Sequence, residues 1–296
     1  MATVYLKVKQ KLRSIRWMLF AVTLINMMSM FILKMIGSFF ENSVPTYIEA
    51  LITGVFAYVV PITIFAKTEK LTTEAAAERF CLKKCKPSYI ALAAAGGLCF
   101  QFVVVIINLP FNLILNNATS YMPTTVGELL AEMFVIGIMP AVFEEFLFRG
   151  IVMGSMSKLN QKAAIIFSTV MFAVMHGDIY SLAGYVVMGL VLAVLVSRTE
   201  SLYAAMAFHF TNNLAALLLG YFNSELIYAP TATIKLFVAG IVGFVLCAAA
   251  FFTFTKKKKT ENKIKTSVLL AQSFTSVPIL LCIAIVAAAG LLMSVL

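Results

Sequence analysis

The sequence predicts an all-α integral membrane protein that crosses the bilayer eight or nine times. Its residues are 61% hydrophobic and only 12% charged, and the mean hydropathy is +0.97. Soluble globular domains contain about 25% charged residues. Nine apolar runs approach or exceed the length of a membrane helix, which is about 20 residues. They cover residues 17–33, 47–65, 89–115, 133–156, 163–176, 180–197, 202–222, 234–254 and 277–296.

The rest of the sequence also fits a single membrane domain of eight or nine helices. The first run follows a basic segment but lacks a small-residue cleavage site, so it is expected to stay as the first helix. The largest polar insertion, residues 67–88, contains "TTEAAAERF" and predicts an amphipathic cytoplasmic segment. The fifth run, 163–176, is short for a complete span, which leaves the choice between eight and nine helices open. No repeat or soluble domain is evident, so residues 1–296 are predicted to form one integral membrane domain.

The net charge of +10 does not indicate a nucleic-acid partner, because its distribution follows the membrane topology. All Lys and Arg except Lys34, Arg149 and Lys235 fall in five segments, 1–16, 67–88, 157–162, 198–201 and 256–266. The alternating loops 37–46, 116–125, 177–179 and 223–233 contain none. This positive-inside pattern predicts a cytoplasmic N-terminus. The lysine run at 256–259 is also suited to bind anionic lipid headgroups.

Three charges interrupt the fourth apolar run, in "PAVFEEFLFRG" at residues 140–150. A charge at the centre of a membrane helix costs about 2.5–3.5 kcal/mol, so such residues usually have a function. Glu145 and Arg149 are four residues apart with the acid first, the favourable order for an intrahelical pair. Glu144 is rotated by about 100° from Glu145 on a helix. Arg149 can therefore neutralise Glu145 while Glu144 points elsewhere.

The chain has only two histidines, and both lie within apolar runs. His176 ends "FAVMH", and Phe172, one turn earlier, can pack against its imidazole. His209 begins "HFTNN", and Asn213 is expected to share its helix face because it follows four residues later. At about 1.5 Å per residue, Glu144, His176, His209 and Asn213 fall roughly 12–21 Å from the predicted cytoplasmic side. These four polar side chains can therefore meet in one hydrated cavity.

Two other acidic residues of the fourth helix are expected to have no part in this cavity. Glu128 and Glu132 lie near its predicted outer end. There they can reach headgroups or water.

Two imidazoles, a carboxylate and an amide are sufficient to hold and activate a water molecule. Glu144 can take the proton of that water as it attacks a peptide carbonyl. His209 and Asn213 can hold the water or stabilise the tetrahedral oxyanion. The zinc-peptidase pattern H-E-x-x-H is absent. Glu144, His176 and His209 could nevertheless bind a divalent metal such as zinc with one open position, so the sequence leaves metal dependence open.

Three short motifs carry a resemblance to a known family. "EEFLFR" fits E-E-x-x-x-R, "FAVMH" fits F-x-x-x-H, and "HFTNN" fits H-x-x-x-N, in that order and about thirty residues apart. The chain thereby resembles the CAAX-processing and bacteriocin-processing (abortive infection) family of intramembrane proteases, which includes the type II CAAX prenyl endopeptidases. The resemblance places a four-helix catalytic core at residues 126–222.

The resemblance implies a glutamate-dependent endopeptidase whose catalytic residues lie within the membrane. It implies Glu144 as the base, Glu145 and Arg149 as residues that shape the site, and His176, His209 and Asn213 as residues that position the water. The implied substrate is a peptide or a lipidated protein. Together with the charge pattern, the resemblance favours a bacterial plasma membrane.

Two other classes of function remain compatible with these residues. Buried Glu and His side chains also form proton relays, so a proton-coupled transporter is an alternative; its usual repeated halves are not evident in the sequence. A non-catalytic immunity protein on the same fold is the other alternative. The sequence does not indicate the substrate, the oligomeric state or the side to which the site opens.

Overall fold

The structure is a computed structural model that describes residues 2–39, 46–70, 72–114, 123–222, 230–256 and 262–295. Within these ranges the chain is helical and contains no strand, apart from one isolated bridge between Leu82 and Ser201. The helices are α1 (Ala2–Phe39), α2 (Thr46–Gly54, continued by Val55–Val59 and Val60–Thr68), α3 (Thr73–Arg79), α4 (Pro87–Ile114), α5 (Val126–Glu132, continued by Met133–Ile138, Met139–Glu144, Glu145–Met153 and Gly154–Ser157), α6 (Gln161–Met175), α7 (Leu182–Thr199), α8 (Leu202–Tyr221), α9 (Pro230–Phe254), α10 (Thr266–Phe274) and α11 (Val277–Val295).

The all-α membrane fold predicted from the sequence is confirmed. Seven of the described helices are long and apolar enough to span a membrane, and the pair α10–α11, bent by 61°, adds an eighth if it forms one span. The fifth predicted helix, α6, has only 15 residues and falls short of the usual length. Large apolar side chains such as Leu113 and Ile114 are exposed on the outside of the bundle, as expected for surfaces that face lipid.

Two π-helical segments occur where a proline interrupts the regular hydrogen bonding of a long helix. Val55–Val59 is followed by Pro61, and Met133–Ile138 is followed by Pro140. Proline has no N–H to donate to the carbonyl four residues earlier, so the helix widens locally. A third π-helical segment, Glu145–Met153, contains the second glutamate and the arginine of the charged motif.

The segments that carry most of the positive charge are joined at one end of the bundle. Leu202 N–H donates to Cys81 O (2.9 Å), which ties the segment between α2 and α4 to the start of α8. Lys263 N–H donates to Leu159 O (2.9 Å), which joins the two loops that flank α6 and α10. Arg198 Nη1 donates to Thr255 O (2.7 Å). We call this end of the molecule the basic end.

The basic end also includes the N-terminal helix and the short helix α3. Ser14 Oγ donates to Glu69 Oε1 at 2.6 Å, and Lys158 Nζ lies 3.6 Å from Glu78 Oε1. All five predicted cytoplasmic segments therefore contribute residues to the same end, as a single-sided topology requires.

Helices α4 and α8 approach each other closely at Gly97. A Cβ atom added at Gly97 would overlap the carbonyl oxygen of Phe208 and the hydroxyl of Thr211. Small residues allow such close contact between membrane helices. This contact fixes α8, the helix that carries His209 and Asn213, against the rest of the bundle.

Candidate active site

A cavity of about 820 Å³ lies between helices α4, α5, α7, α8 and α9 and the C-terminal end of α6. Four of the six predicted site residues line it, Glu144, His176, His209 and Asn213. These residues lie on three helices. Glu144, His176 and His209 follow one another in the sequence at intervals of about thirty residues. The other two, Glu145 and Arg149, are fully buried behind the cavity wall.

Glu144 presents one carboxylate oxygen to both histidines. Its Oε2 lies 3.7 Å from His176 Nε2 and 4.0 Å from His209 Nε2. Among the residues that the structure describes, this buried oxygen has no hydrogen-bond partner. Tyr58, on helix α2, donates its hydroxyl to the other oxygen, Oε1, at 3.2 Å. The carboxylate is thus held at one oxygen, while the second lies beside the two imidazoles.

The ring of His176 is fixed by three contacts from two residues, Phe172 and Tyr185. Its Nδ1 lies 2.7 Å from the carbonyl oxygen of Phe172, which can only accept a hydrogen bond, so Nδ1 carries a proton. The predicted packing of Phe172 against this imidazole is present, with ring centroids 4.6 Å apart. Tyr185, on helix α7, stacks on the imidazole with centroids 3.9 Å apart and planes 27° apart. When the imidazole is neutral, its Nε2 lone pair therefore points toward Glu144.

His209 is held by the buried acid of the pair. Its Nδ1 lies 3.0 Å from Glu145 Oε1, which also accepts from Arg149 Nη1 at 2.9 Å. Glu145 Oε1 can only accept hydrogen bonds, so His209 Nδ1 and Arg149 Nη1 both donate to it. When the His209 ring is neutral, its Nε2 therefore carries a lone pair directed at the cavity. Glu145 thereby links the arginine to the histidine and lies behind the site rather than in it.

Arg149 compensates the buried charge of Glu145 and also contacts Gly189 and Phe172. Its second terminal nitrogen, Nη2, donates to Gly189 O on helix α7 at 3.1 Å. The guanidinium lies over the ring of Phe172, with Cζ 4.3 Å from the ring centroid, a favourable cation–π geometry. A Cβ atom at Gly189 would lie 3.2 Å from Phe172 and 3.3 Å from Thr169, so a side chain at this position would crowd both residues.

Asn213 is positioned by the first π-helical segment of α5. Its Nδ2 donates to Ile136 O at 2.9 Å. In a regular α-helix that oxygen would accept from the N–H of residue 140, but residue 140 is a proline. One amide N–H of Asn213 is thus used to fix the side chain, and its second is available to a ligand in the cavity.

Sequence reasoning missed two aromatic residues of the site. Tyr58 is 86 residues from its partner Glu144 in sequence, and its only signal is a hydroxyl within the apolar run 47–65. Tyr185 stands at the beginning of helix α7, nine residues after His176. Neither position follows from helical spacing, because each contact joins two separate helices.

The expectation for Glu132 is wrong. Its side chain does not reach headgroups or water at the end of α5, because Glu132 is 1% exposed and lines the same cavity. Helix α5 begins at Val126, so Glu132 lies almost two turns inside it. Glu128, by contrast, forms the capping box with Thr125 at the start of that helix.

The same side chains meet part of what a metal site requires. Both histidines direct Nε2 toward the cavity and hold Nδ1 against an oxygen, an arrangement typical of metal-binding histidines. As they stand, however, no three His, Cys, Asp or Glu side chains in the described ranges are grouped closely enough to hold a metal ion. Zinc binding by Glu144, His176 and His209 therefore stays a prediction, which inhibition by a chelator tests.

One comparison with known proteins found a match. Residues 126–215 match the model of the family described as Rce1-like, type II CAAX prenyl endopeptidase. This segment contains all six predicted site residues. Neither the curated proteins nor the solved structures gave a match.

Proposed function

Through residues 126–215 the chain belongs to the CAAX-processing family of intramembrane proteases, and we propose that it hydrolyses peptide bonds with a water molecule activated by Glu144. The family is a protease family, which supports a peptidase. The observation that carries the proposed mechanism is the free Oε2 of Glu144, which faces Nε2 of both histidines at the cavity wall.

In the proposed reaction, a water binds between Glu144 Oε2 and the two Nε2 atoms. Oε2 takes a proton from this water while the water oxygen forms a bond to the carbonyl carbon of the substrate. The carbonyl oxygen becomes an oxyanion, which the second amide N–H of Asn213 is placed to stabilise. The tetrahedral intermediate then breaks its C–N bond, and the leaving nitrogen receives the proton from Glu144. The products are a carboxylic acid and an amine.

The remaining residues position these groups. Tyr58 holds Oε1 of Glu144, so that Oε2 is the oxygen available to the water. Glu145 fixes the ring of His209, and Arg149 balances the charge of Glu145. Tyr185 and Phe172 both contact the ring of His176. Reactive groups held rigidly before substrate binds lose less entropy in the reaction.

Glu144→Gln is expected to abolish peptide cleavage while the protein still folds and inserts into the membrane. Glutamine keeps the shape of glutamate but cannot accept the proton, and loss of a general base lowers rates by about 10²–10⁴-fold. Peptide profiling of membranes containing the wild-type protein or the variant measures this loss. Products that are as abundant with Glu144→Gln as with the wild type would rule out Glu144 as the base.

Glu128→Gln is the matched control for that experiment. Glu128 is on the same helix, and glutamine also supports a capping box. The same profiling should show unchanged cleavage for this control. The identity of the substrate, including whether it carries a lipid, follows from the peptides that disappear or accumulate with the active protein.

A further inference from the structure

An apolar groove lies between helices α7 and α9, apart from the candidate active site. Its floor contains Ala93 and Gly96 of α4 and Phe208 of α8, and its walls come from segments 190–195 of α7 and 244–252 of α9. Every lining side chain is apolar, and among the described residues none also lines the catalytic cavity. A polar ligand would lose hydrogen bonds with water there without replacing them, so this α7–α9 groove is suited to a hydrocarbon chain.

The α7–α9 groove runs along the half of the bundle next to the basic end. Helices α7 and α9 both finish there, where Arg198 Nη1 donates to Thr255 O. The lining residues farthest from this contact, Leu190 and Phe244, precede Arg198 and Thr255 by about 12 Å and about 16 Å of helix, respectively. One leaflet contributes about 15 Å to the hydrocarbon core. The groove therefore matches the acyl-chain region of one leaflet, and its volume of about 200 Å³ is too small for a partner helix about 10–12 Å wide.

Arg198 lies where the α7–α9 groove reaches the basic end. Its Cζ is 4.4 Å from the ring centroid of Phe252, an exposed residue of the groove wall. Its Nη1 is used by Thr255, whereas Nε and Nη2 have no hydrogen-bond partner among the described residues. Arginine N–H groups bind phosphate oxygens well. The half-buried guanidinium is thus placed to hold a phosphate beside the groove.

Two exposed lysines lie at the same end of helix α9. Lys86 Nζ is 5.7 Å from the ring centroid of Tyr89, whose hydroxyl donates to Phe254 O at 3.0 Å. Lys256 follows Phe254 by two residues. Within the described ranges, neither these lysines nor Arg198 forms an ion pair. The apolar groove therefore ends at three positive charges that no acidic side chain neutralises.

We propose that the α7–α9 groove binds one anionic phospholipid from the leaflet at the basic end. An acyl chain lies in the groove, and Arg198, Lys86 and Lys256 bind the phosphate headgroup. The positive-inside pattern predicts that this leaflet is the cytoplasmic one, whose surface is negatively charged. The bound lipid would fill the space between α7 and α9. The proposal does not rest on the proposed function, because the groove and the catalytic cavity have separate linings.

Native mass spectrometry of the purified full chain tests the headgroup part of the proposal. The protein in detergent is titrated with phosphatidylglycerol or with phosphatidylcholine of the same acyl chains, and the bound lipids are counted. Each basic residue is expected to add about fivefold to the affinity for the anionic lipid, the equivalent of about 1 kcal/mol. The wild type should therefore retain one phosphatidylglycerol and bind it at least about tenfold more tightly than phosphatidylcholine. Equal affinities for the two lipids overturn the proposal.

Replacing both lysines should weaken this preference. Lys86→Gln combined with Lys256→Gln is expected to lower the affinity for phosphatidylglycerol by about 25-fold. Lys158→Gln combined with Lys263→Gln is the matched control, because these exposed lysines belong to the part of the basic end beside α6. The control should bind phosphatidylglycerol as the wild type does. An equal loss in both double variants would show unspecific attraction to the basic end and would refute the site.

Filling the groove should displace the acyl chain. Ala248→Trp places an indole in the groove, whereas Ala249→Trp, the matched control, places it on the exposed neighbouring position of the same helix. The control should retain one phosphatidylglycerol per chain and Ala248→Trp none, with thermal unfolding midpoints showing that both are folded. If Ala248→Trp does not fold, Ala248→Leu and Ala249→Leu replace the pair. Retention by both variants of a pair, or a wild-type dimer that substitution at Ala248 dissociates, contradicts a lipid in the groove.

Discussion

At the scale of single residues, Tyr58 occupies one oxygen of Glu144 and leaves the other to the two histidines. Its hydroxyl donates to Oε1 at 3.2 Å, and the two histidines surround Oε2. No spacing in the sequence connects Tyr58 with Glu144, because helix α2 lies outside the three motifs. The four-residue spacing of Glu145 and Arg149, in contrast, correctly indicates their contact at 2.9 Å.

Tyr58→Phe should slow cleavage without weakening substrate binding. A hydrogen bond to a charged group contributes about 1.5–3 kcal/mol, which corresponds to a fall in kcat of about ten- to a hundredfold. Steady-state kinetics should show this fall with an unchanged KM, because Tyr58 acts through Glu144. Tyr47→Phe, at the beginning of the same helix, is the control and should leave both constants unchanged. A kcat of Tyr58→Phe equal to that of the wild type would contradict the positioning role.

Arg149→Ala should strongly destabilise the folded protein. The substitution removes the ion pair with Glu145, the bond to Gly189 O and the contact with Phe172. Breaking a buried ion pair by removing one partner costs about 3–5 kcal/mol. Denaturant unfolding in detergent micelles measures the loss. Arg198→Ala, whose guanidinium is half-buried at the basic end, should cost clearly less, and an equal cost for both variants would argue against the account of Arg149.

At the scale of helices, the irregular hydrogen bonding of α5 supports the site. The sequence indicates the interruption, since Pro140 stands inside the fourth apolar run. It does not indicate the result, which is that Ile136 O accepts from Asn213 on helix α8. That contact depends on the lateral position of α8, which is set by Gly97 on helix α4.

Pro140→Ala should lower activity by several-fold. Alanine supplies an N–H that can donate to Ile136 O within the helix, so it competes with Asn213 for that oxygen. A typical hydrogen bond has a net free energy of about 0.5–1.5 kcal/mol, which sets the size of the expected effect. Cleavage assays on purified protein measure the change. Pro110→Ala, inside helix α4 and exposed, should leave activity as in the wild type. Equal activities of the two variants would show that Asn213 does not need this contact.

Gly97→Ala should destabilise the bundle. The added methyl group would overlap the backbone of Phe208, and such overpacking costs about 1–3 kcal/mol. The midpoint of thermal unfolding in detergent measures the loss. Gly127→Ala is the control, because the nearest atom to its added Cβ is 3.9 Å away. If Gly97→Ala unfolds at the same temperature as the wild type, α4 and α8 do not meet as described.

At the scale of the whole molecule, hydropathy and charge distribution predict the helical membrane fold well. The nine apolar runs correspond to seven spanning helices, one bent pair and the short α6 among the described residues. Composition cannot show that α6 has only 15 residues and that His176 is the residue at its C-terminal end. The burial of Glu132 was also unpredictable, since depth along a helix does not reveal which face a neighbour covers.

We propose that Glu144, His176 and His209 form one site in which Glu144 activates water. The most direct measurement is the cleavage rate of a peptide substrate by purified, reconstituted protein, compared among the wild type, Glu144→Gln and Glu128→Gln. Glu144→Gln is expected to lower kcat by at least about 10²-fold, with unchanged thermal unfolding, and Glu128→Gln is expected to cleave at the wild-type rate. A folded Glu144→Gln protein that cleaves at the rate of Glu128→Gln would contradict it.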